Sequence, residues 1–560
     1  MKIALRIASG VLLSAVFLFA QGQDSRLWQD DLEYLVKRIE IMHPNPYAYF
    51  PREEFIKLKD ALSERIPRLS EAEIVISLSE LLARLEDGHT RMGFEYSDPS
   101  WLNRTFHLLP FILYSFDDGF YILAGMPEHK QWVGAKVLRI GNMPEEEAAG
   151  KFGALYSHDN RSGEKKNLWF TLGLAEMLKH IGAVEAVDRI NLTLQTATNK
   201  GEEVSIATVP FTDMARHLGS WYPQAGSALS TMNETSANPL PLWRKHRQEA
   251  FWFEYVPEEK MMFLQINSLS FSWGNGPGSF GRQCEGFFKA FDQSAPEKLV
   301  IDIRANHGGN HVELPLLKGI LARPAIDRPD KLFLITGRVT YSAAVHFTTV
   351  FRKHTQATTI GEPTAGRPNH YGAIRRFKLP NHPQVTIGCS IDYYQDSEPF
   401  DFNTTHTPDI AASMTASDYR NNIDPALARV RDYGRIIARV RALDEELKIA
   451  HAAGGLAAVK KAYALKKQEL LDTGYNQERF FFEMRDNWFF KSKKSAAEDL
   501  DYLAFALGEC PESIDLCYLL AERSEAEGRT DQANEHYRQC LLLNPACHYA
   551  EMKLGLLGLK

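Results

Sequence analysis

Apolar positions along the chain recur first at a helical period, then in short strand-like runs, and finally at a helical period again. Trp28, Leu32, Leu35 and Ile39 are spaced three and four apart, and Ile74, Leu78, Leu81 and Leu85 repeat the spacing. This predicts two amphipathic helices between Leu27 and Met92, interrupted at His43-Pro-Asn-Pro46. Runs at Leu109–Tyr114, Phe120–Ala124, Gly134–Pro144 and Ile190–Leu194 read as strands, the last in a hairpin with Val204–Ala207 across Asn199-Lys-Gly201. Phe251–Tyr255 and Met261–Ile266 read as edge-type strands. From Leu299 the pattern alternates: strand Leu299–Arg304, helix Glu313–Ala322, strand Lys331–Thr336, a helix from Ser342 to about Lys353, and strand Ala357–Ile360. Strands and helices at this spacing make βαβ units and a parallel sheet. Beyond Asp424 the chain turns to long helices, Tyr433–Ile449 and Leu456–Leu471. Cys510-Pro511 and Asn544-Pro545 then recur at a separation of thirty-four residues.

Two loops at predicted strand C-termini carry the candidate chemistry. Gly308 and Gly309 allow a tight turn with bare N–H groups. Ser342 stands at a helix start, where unpaired N–H groups and the positive end of the helix dipole favour a developing anion. The amides of Ala343 and of Gly308 or Gly309 supply the two donors an acyl-transfer oxyanion hole needs. On position alone, a capping serine above an ordinary turn is the commoner arrangement.

Asp302-Ile-Arg-Ala-Asn-His-Gly-Gly-Asn310, Thr340-Tyr-Ser-Ala-Ala344, Ile360-Gly-Glu-Pro-Thr-Ala-Gly366 and Thr407-Pro-Asp-Ile410 resemble, in that order, motifs of the S41 serine peptidases, the tail-specific or C-terminal-processing proteases. The resemblance implies an α/β multidomain chain with a crotonase/Clp-protease-like catalytic core and Ser342 as nucleophile. Many such proteases use a lysine base in a segment similar to Gly361–Pro368, where this chain has Arg367. Arginine is not deprotonated in proteins and cannot serve. Gly88 suits a C-cap for the second helix and places His89 just beyond it. Leu85-Glu-Asp-Gly-His-Thr-Arg91 resembles the segment that supplies a histidine in the tricorn-like branch, so His89 is the first candidate base. His346, one helical turn beyond Ser342, is the second. In that branch an acid upstream of the Pro-Asp motif orients the histidine side of the site, a role open to Asp401 or Glu398. Asp302 and Arg304 read as a structural pair.

Gly134-Ala-Lys-Val-Leu-Arg-Ile-Gly-Asn-Met-Pro144 resembles a PDZ segment with Asn and Gly transposed, implying a peptide-binding β-rich module; an unrelated small barrel is the alternative. Gly528, Ala533, Tyr537, Leu541 and Pro545 resemble the tetratricopeptide signature, implying a docking or dimerisation appendix. The implied organisation is a signal peptide at 1–22, an N-terminal helical domain at 24–100, the PDZ-like module at 101–235, the catalytic core at 236–431, a helical linker at 432–475 and tetratricopeptide-like repeats at 476–560.

At 560 residues and 44% hydrophobic content, the chain can bury several cores. A net charge of −7 gives no sign of a nucleic-acid partner. Lys2 and Arg6 precede an apolar stretch from Ile7 to Ala20; a basic start, short apolar run and small residues read as a secretory signal, too short to span a bilayer. The mature protein is therefore expected to be exported, periplasmic or extracellular, without a membrane span. Four of six cysteines lie at 510, 517, 540 and 547; their symmetry about a helical hairpin predicts Cys517–Cys540 and, less directly, Cys510–Cys547 disulfides. No metal or cofactor is expected, since His307 and His311 simply flank the glycine turn. The sequence thus reads as an exported serine endopeptidase acting on protein or peptide substrates. A non-catalytic binding or adapter protein of the same fold, for a peptide or lipophilic ligand, is the alternative.

Overall fold

A computed structural model describes residues 24–196, 201–217, 228–274, 276, 278–489 and 495–556; the predicted export signal lies outside them. Helices α1 (24–42), α2 (Arg52–Arg65) and α3 (Glu71–Ala83) open the chain. Ser70 and Glu73 form a capping box at the start of α3. An antiparallel sheet follows, containing β1 (Phe111–Phe116), β2 (Gly119–Gly125) and β3 (Lys136–Ile140). Helix α4 (Arg161–Thr171) intervenes before β4 (Arg189–Gln195) and β5 (Glu202–Ala207), which pair antiparallel as the expected hairpin.

The central sheet begins with β6 (Phe251–Val256) and β7 (Met261–Ile266). Helix α5 (Phe280–Ser294), β8 (Lys298–Asp302), α6 (Leu314–Leu321), β9 (Leu332–Thr336), α7 (Ala343–His354) and β10 (Thr358–Gly361) follow. The short strands β11 (Asn369–Gly372) and β12 (Asp392–Gln395) pair with each other outside this sheet, and β13 (Ile410–Ala411) completes it. The order is β6-β7-β8-β9-β10-β13, parallel from β7 onward. Of the two strands read as edges, only β6 is one; the other edge of the sheet is β13. β7 lies between β6 and β8 with all six residues buried, which corrects its reading as an edge.

Alternate residues of the central strands enter two cores. Met262, Leu264, Leu299, Ile301, Leu332 and Leu334 pack with Phe287, Leu316 and Phe347 of the crossover helices. Phe263, Val300, Phe333 and Ile360 point to the opposite face, into the core that includes Leu427 and Val430. Burial on both faces explains why these strands read as unbroken apolar runs.

Helix α8 (Pro425–Thr473) starts earlier than its periodicity suggested and is broken only at Gly454 and Gly455, whose dihedral angles are non-helical. Asp424 caps it and also grips Arg304 with both carboxylate oxygens, at 2.8 and 2.9 Å. Arg304 in turn binds Asp302, so the expected pair is a buried triad tying α8 to the end of β8. Helices α9 (Ala496–Glu509), α10 (Ile514–Ala526), α11 (Thr530–Leu543) and α12 (His548–Leu556) pack in succession. The turn between α10 and α11 falls at Gly528, with φ 70°. All six cysteines are free thiols. Cys517 and Cys540 do meet across the hairpin, but Cys540 touches Cys547 as well, so the chain path does not pair Cys547 with Cys510 as expected. No described helix is long and apolar enough to cross a membrane.

Candidate active site

Ser342 and the glycine turn meet at the C-terminal ends of adjacent strands β8 and β9, where parallel sheets present their loops. The two loops are strapped together. The Gly337 amide donates to Thr340 Oγ1, the Thr340 hydroxyl donates to the Ile303 carbonyl, and the Tyr341 amide donates to the Asn306 carbonyl, at 3.0, 3.0 and 3.1 Å. Ser342 then adopts φ 55° and ψ −128°, directly before α7, and its side chain caps nothing. An L-residue in that conformation stores on the order of 1–3 kcal/mol of strain. A serine used merely as a cap would sit in the extended region. Ser342→Gly is accordingly expected to melt above both the parent and Ser342→Ala in thermal unfolding; equal melting temperatures for the two variants would show the backbone to be unstrained.

Gly308 and Gly309 have φ of 111° and 141°. A Cβ on Gly308 would fall 2.8 Å from the Cβ of Ser342, and one on Gly309 would fall 2.3 Å from the Leu269 carbonyl carbon, so side chains are excluded at both. The Gly308 amide donates to Asn306 Oδ1 at 2.8 Å. The amides of Gly309 and Ala343 have no acceptor among the described residues. Of the three predicted oxyanion donors, Gly308 is therefore already spent, whereas Gly309 and Ala343 remain open.

His89 arrives from the other end of the chain. Helix α3 stops at Ala83 and the reversal falls at Glu86, with φ 49°, not at a Gly88 cap as expected. Gly88 is glycine for a different reason: a Cβ there would lie 2.5 Å from the Tyr341 hydroxyl and 3.1 Å from Asp159. The Gly88 amide donates to Asp159 and the His89 amide to Asp87, at 2.6 and 2.9 Å. Asp87 is bound in addition by His43 Nε2 at 3.0 Å and by the Ser390 hydroxyl at 2.6 Å. These partners outweigh the effect of burial and hold its carboxyl well below the usual range. Arg91 and Met92 pair with Gly388 and Ile387, which stitches the turn to the core.

His89 is buried, with Nδ1 2.8 Å from the Tyr341 hydroxyl and its ring stacked on Tyr341 at 4.5 Å. Burial pushes its pKa down to about 3 against the opposing charge of Asp87, so the imidazole is neutral. Nε2 has no hydrogen-bond partner among the described residues, and Ser342 and His89 are not hydrogen-bonded to each other. Tyr341, adjacent to Ser342 in sequence, is the link between them.

The remaining predicted site residues lie elsewhere. Asp401 accepts from the Ser397 hydroxyl and from Asn403, and Glu398 is an exposed partner of Lys353; neither contacts His89. Its polar neighbours are instead Tyr341 and Asp87, whose Oδ1 lies 3.9 Å from Nδ1. Both ring nitrogens of His346 face carboxylates, Glu313 at 3.1 Å and Asp396 at 2.9 Å, which leaves neither for Ser342. Sequence reasoning also missed Lys166. Its ammonium lies 3.8 Å over the Tyr341 ring, and burial pushes its pKa down to about 8. A lysine in a helical insertion carries no mark of this in the sequence.

Arg367 donates to the Glu86 carbonyl at 2.7 Å and to the Glu86 carboxylate at 3.2 Å, with its guanidinium 3.7 Å over the Tyr49 ring. It holds the turn that presents His89. Arg367→Ala should cost about 3 kcal/mol in denaturant unfolding, the scale for breaking a buried charged contact. An abolished kcat with unaltered stability would contradict this role.

No protein-family model and no curated protein matches the sequence. Among solved structures, the chain is similar to a CPAF mutant, with TM-score 0.52 and 14% identity over 74% of this chain and 98% of that one. It also matches the photosystem II D1 C-terminal processing protease, with TM-score 0.32 and 13% identity over 70% and 93% of the two chains. An S41 protease from Bacteroides fragilis NCTC 9343 matches with TM-score 0.26 and 13% identity over 66% and 98%.

Proposed function

We propose, on the S41-family peptidase fold of this chain, that it is an exported serine endopeptidase with Ser342 as nucleophile and His89 as general base. The observation that carries the reading is the strained backbone of Ser342 above a side-chain-free glycine turn. Strain is retained where surrounding structure enforces it, and here it presents a hydroxyl at a helix start beside two unused amides. Attack by Oγ on a peptide carbonyl would place the developing oxyanion on the Gly309 and Ala343 N–H groups. His89 takes the hydroxyl proton at Nε2 once its Nδ1–H is donated to the Tyr341 oxygen. Tyr341 thus acts as the orienting group, in place of Asp401 or Glu398. In this reading the sheet of β1–β5 is a PDZ-like module that receives substrate as an added strand, and α9–α12 are tetratricopeptide-like repeats that dock a protein partner.

A second reading, a non-catalytic binding protein, draws on the missing Ser342–His89 hydrogen bond. A fluorophosphonate probe separates the two. Labelling of the parent, abolished in Ser342→Ala, is expected; no labelling of a folded parent would favour the binding protein.

A further inference from the structure

One turn beyond Ser342, three side chains distant in sequence converge. His311 follows the glycine turn, His346 lies in α7 and Asp396 closes β12. One ligand atom from each lies within 4.8 Å of the others. The two imidazoles stack with centroids 3.8 Å apart and planes 4° from parallel. His346 Nδ1 and Asp396 Oδ1 pair at 2.9 Å, whereas Asp396 Oδ2 is buried with no hydrogen-bond partner among the described residues. The Asp396 side chain is only 9% exposed. A buried carboxylate oxygen left without a partner calls for a cation or a proton that no side chain supplies. On the far side of the ring, His346 Nε2 lies 3.1 Å from Glu313 Oε1. A carboxylate in that place receives the N–H of a metal-bound imidazole and fixes which nitrogen faces the ion.

We propose that His311, His346 and Asp396 bind a divalent transition ion of the zinc class, with Glu313 orienting His346. Two imidazoles and a carboxylate match zinc's preferred donors; turning the two rings out of their stack, with the His346–Asp396 contact exchanged for the ion, would bring them to bonding distances of about 2.0–2.2 Å. Magnesium and calcium, which favour all-oxygen sites, are excluded by the donor set. The ligands come from the loop bearing Gly309, the helix begun by Ser342, and a strand paired with the one that carries His370, whose ring stacks on His89 at 5.8 Å. A bound ion therefore ties together the loop and helix that flank Ser342. The site stands on its own geometry, whatever the chemistry of Ser342.

The test is titration of chelator-treated full-length protein with Zn²⁺ by calorimetry and with Co²⁺ by visible absorption. Saturable binding of one ion is expected, with the d–d bands of low-coordinate Co²⁺ and no response to Mg²⁺. His311→Ala and Asp396→Ala should abolish it, and Glu313→Gln, which preserves size, should weaken it about 10- to 100-fold. The three clustered thiols Cys517, Cys540 and Cys547 are a rival for soft ions, and thiolate ligation would add intense charge-transfer absorption. Binding that carries that absorption and is unchanged in folded His311→Ala overturns the proposal. So does the absence of saturable binding, or equal affinity in the parent and Glu313→Gln.

Discussion

Ser342→Ala and His89→Ala should each lower kcat on a peptide substrate by on the order of 10⁴–10⁶, and the double variant should be no slower than either alone. Groups that act as a unit lose their joint effect once either is gone. The hydroxyl has no nucleophilicity without a base, and the imidazole has nothing to deprotonate without Ser342. The main rival base is Lys166, stacked on the opposite partner in the cluster, the Tyr341 ring. The two make different pH profiles. A buried His89 with pKa about 3 is already neutral at pH 5, so kcat should be flat from pH 5 to 8. A Lys166 base with pKa about 8 needs deprotonation, so kcat would rise tenfold per pH unit below 8. Retention of near-native kcat in His89→Ala, together with loss in Lys166→Met, would transfer the role to the lysine. Tyr341→Phe, which removes the hydroxyl from His89 Nδ1 without changing the ring, should lower kcat about tenfold by releasing the imidazole's orientation.

The central sheet was legible because both of its faces are buried. β8, β9 and β10 are unbroken apolar runs, and each begins and ends within two residues of its predicted limits. Ser342 and the glycine pair were legible because local motifs carry them. The partners of His89 were not. Tyr341 and Asp159 come from separate elements, and their convergence on Gly88 depends on a close approach that sequence periodicity does not record. Gly88 drew attention as a helix cap, yet its small size serves a tertiary contact. The same limit hid the His311–His346–Asp396 group, whose members are supplied by a loop, a helix and a strand end. His311, read with His307 merely as flanking the glycine turn, is turned to His346.

The chain should lose stability steeply as pH falls from about 6.5 toward 5. Two histidines with depressed pKa values, His89 and His406, drive it, and the buried His370 adds to them with the same sign. His89 is enclosed by Tyr341 and His370, and His406 is half-buried with Nε2 2.6 Å from Thr349 Oγ1. Burial pushes both pKa values down to about 3, whereas the unfolded chain titrates them near the ordinary value of 6.5. Between those limits the unfolded state binds more protons than the folded one, so stability rises with pH across the window and is fully present above 6.5. Each histidine contributes about 1.4 kcal/mol per pH unit below 6.5. The pair therefore removes about 4 kcal/mol by pH 5, a large part of the 5–15 kcal/mol typical of a domain. Asp159 and Asp302, whose carboxyls burial pushes up from 3.8, act with the opposite sign, adding stability as pH falls through their raised folded values. Denaturant unfolding at a series of pH values gives the slope directly. His406→Gln, which keeps a donor for Thr349 and does not titrate, should reduce the slope by about half. A slope unchanged in that variant would mean that His406 charges freely in the folded chain and that its burial is not what couples stability to pH.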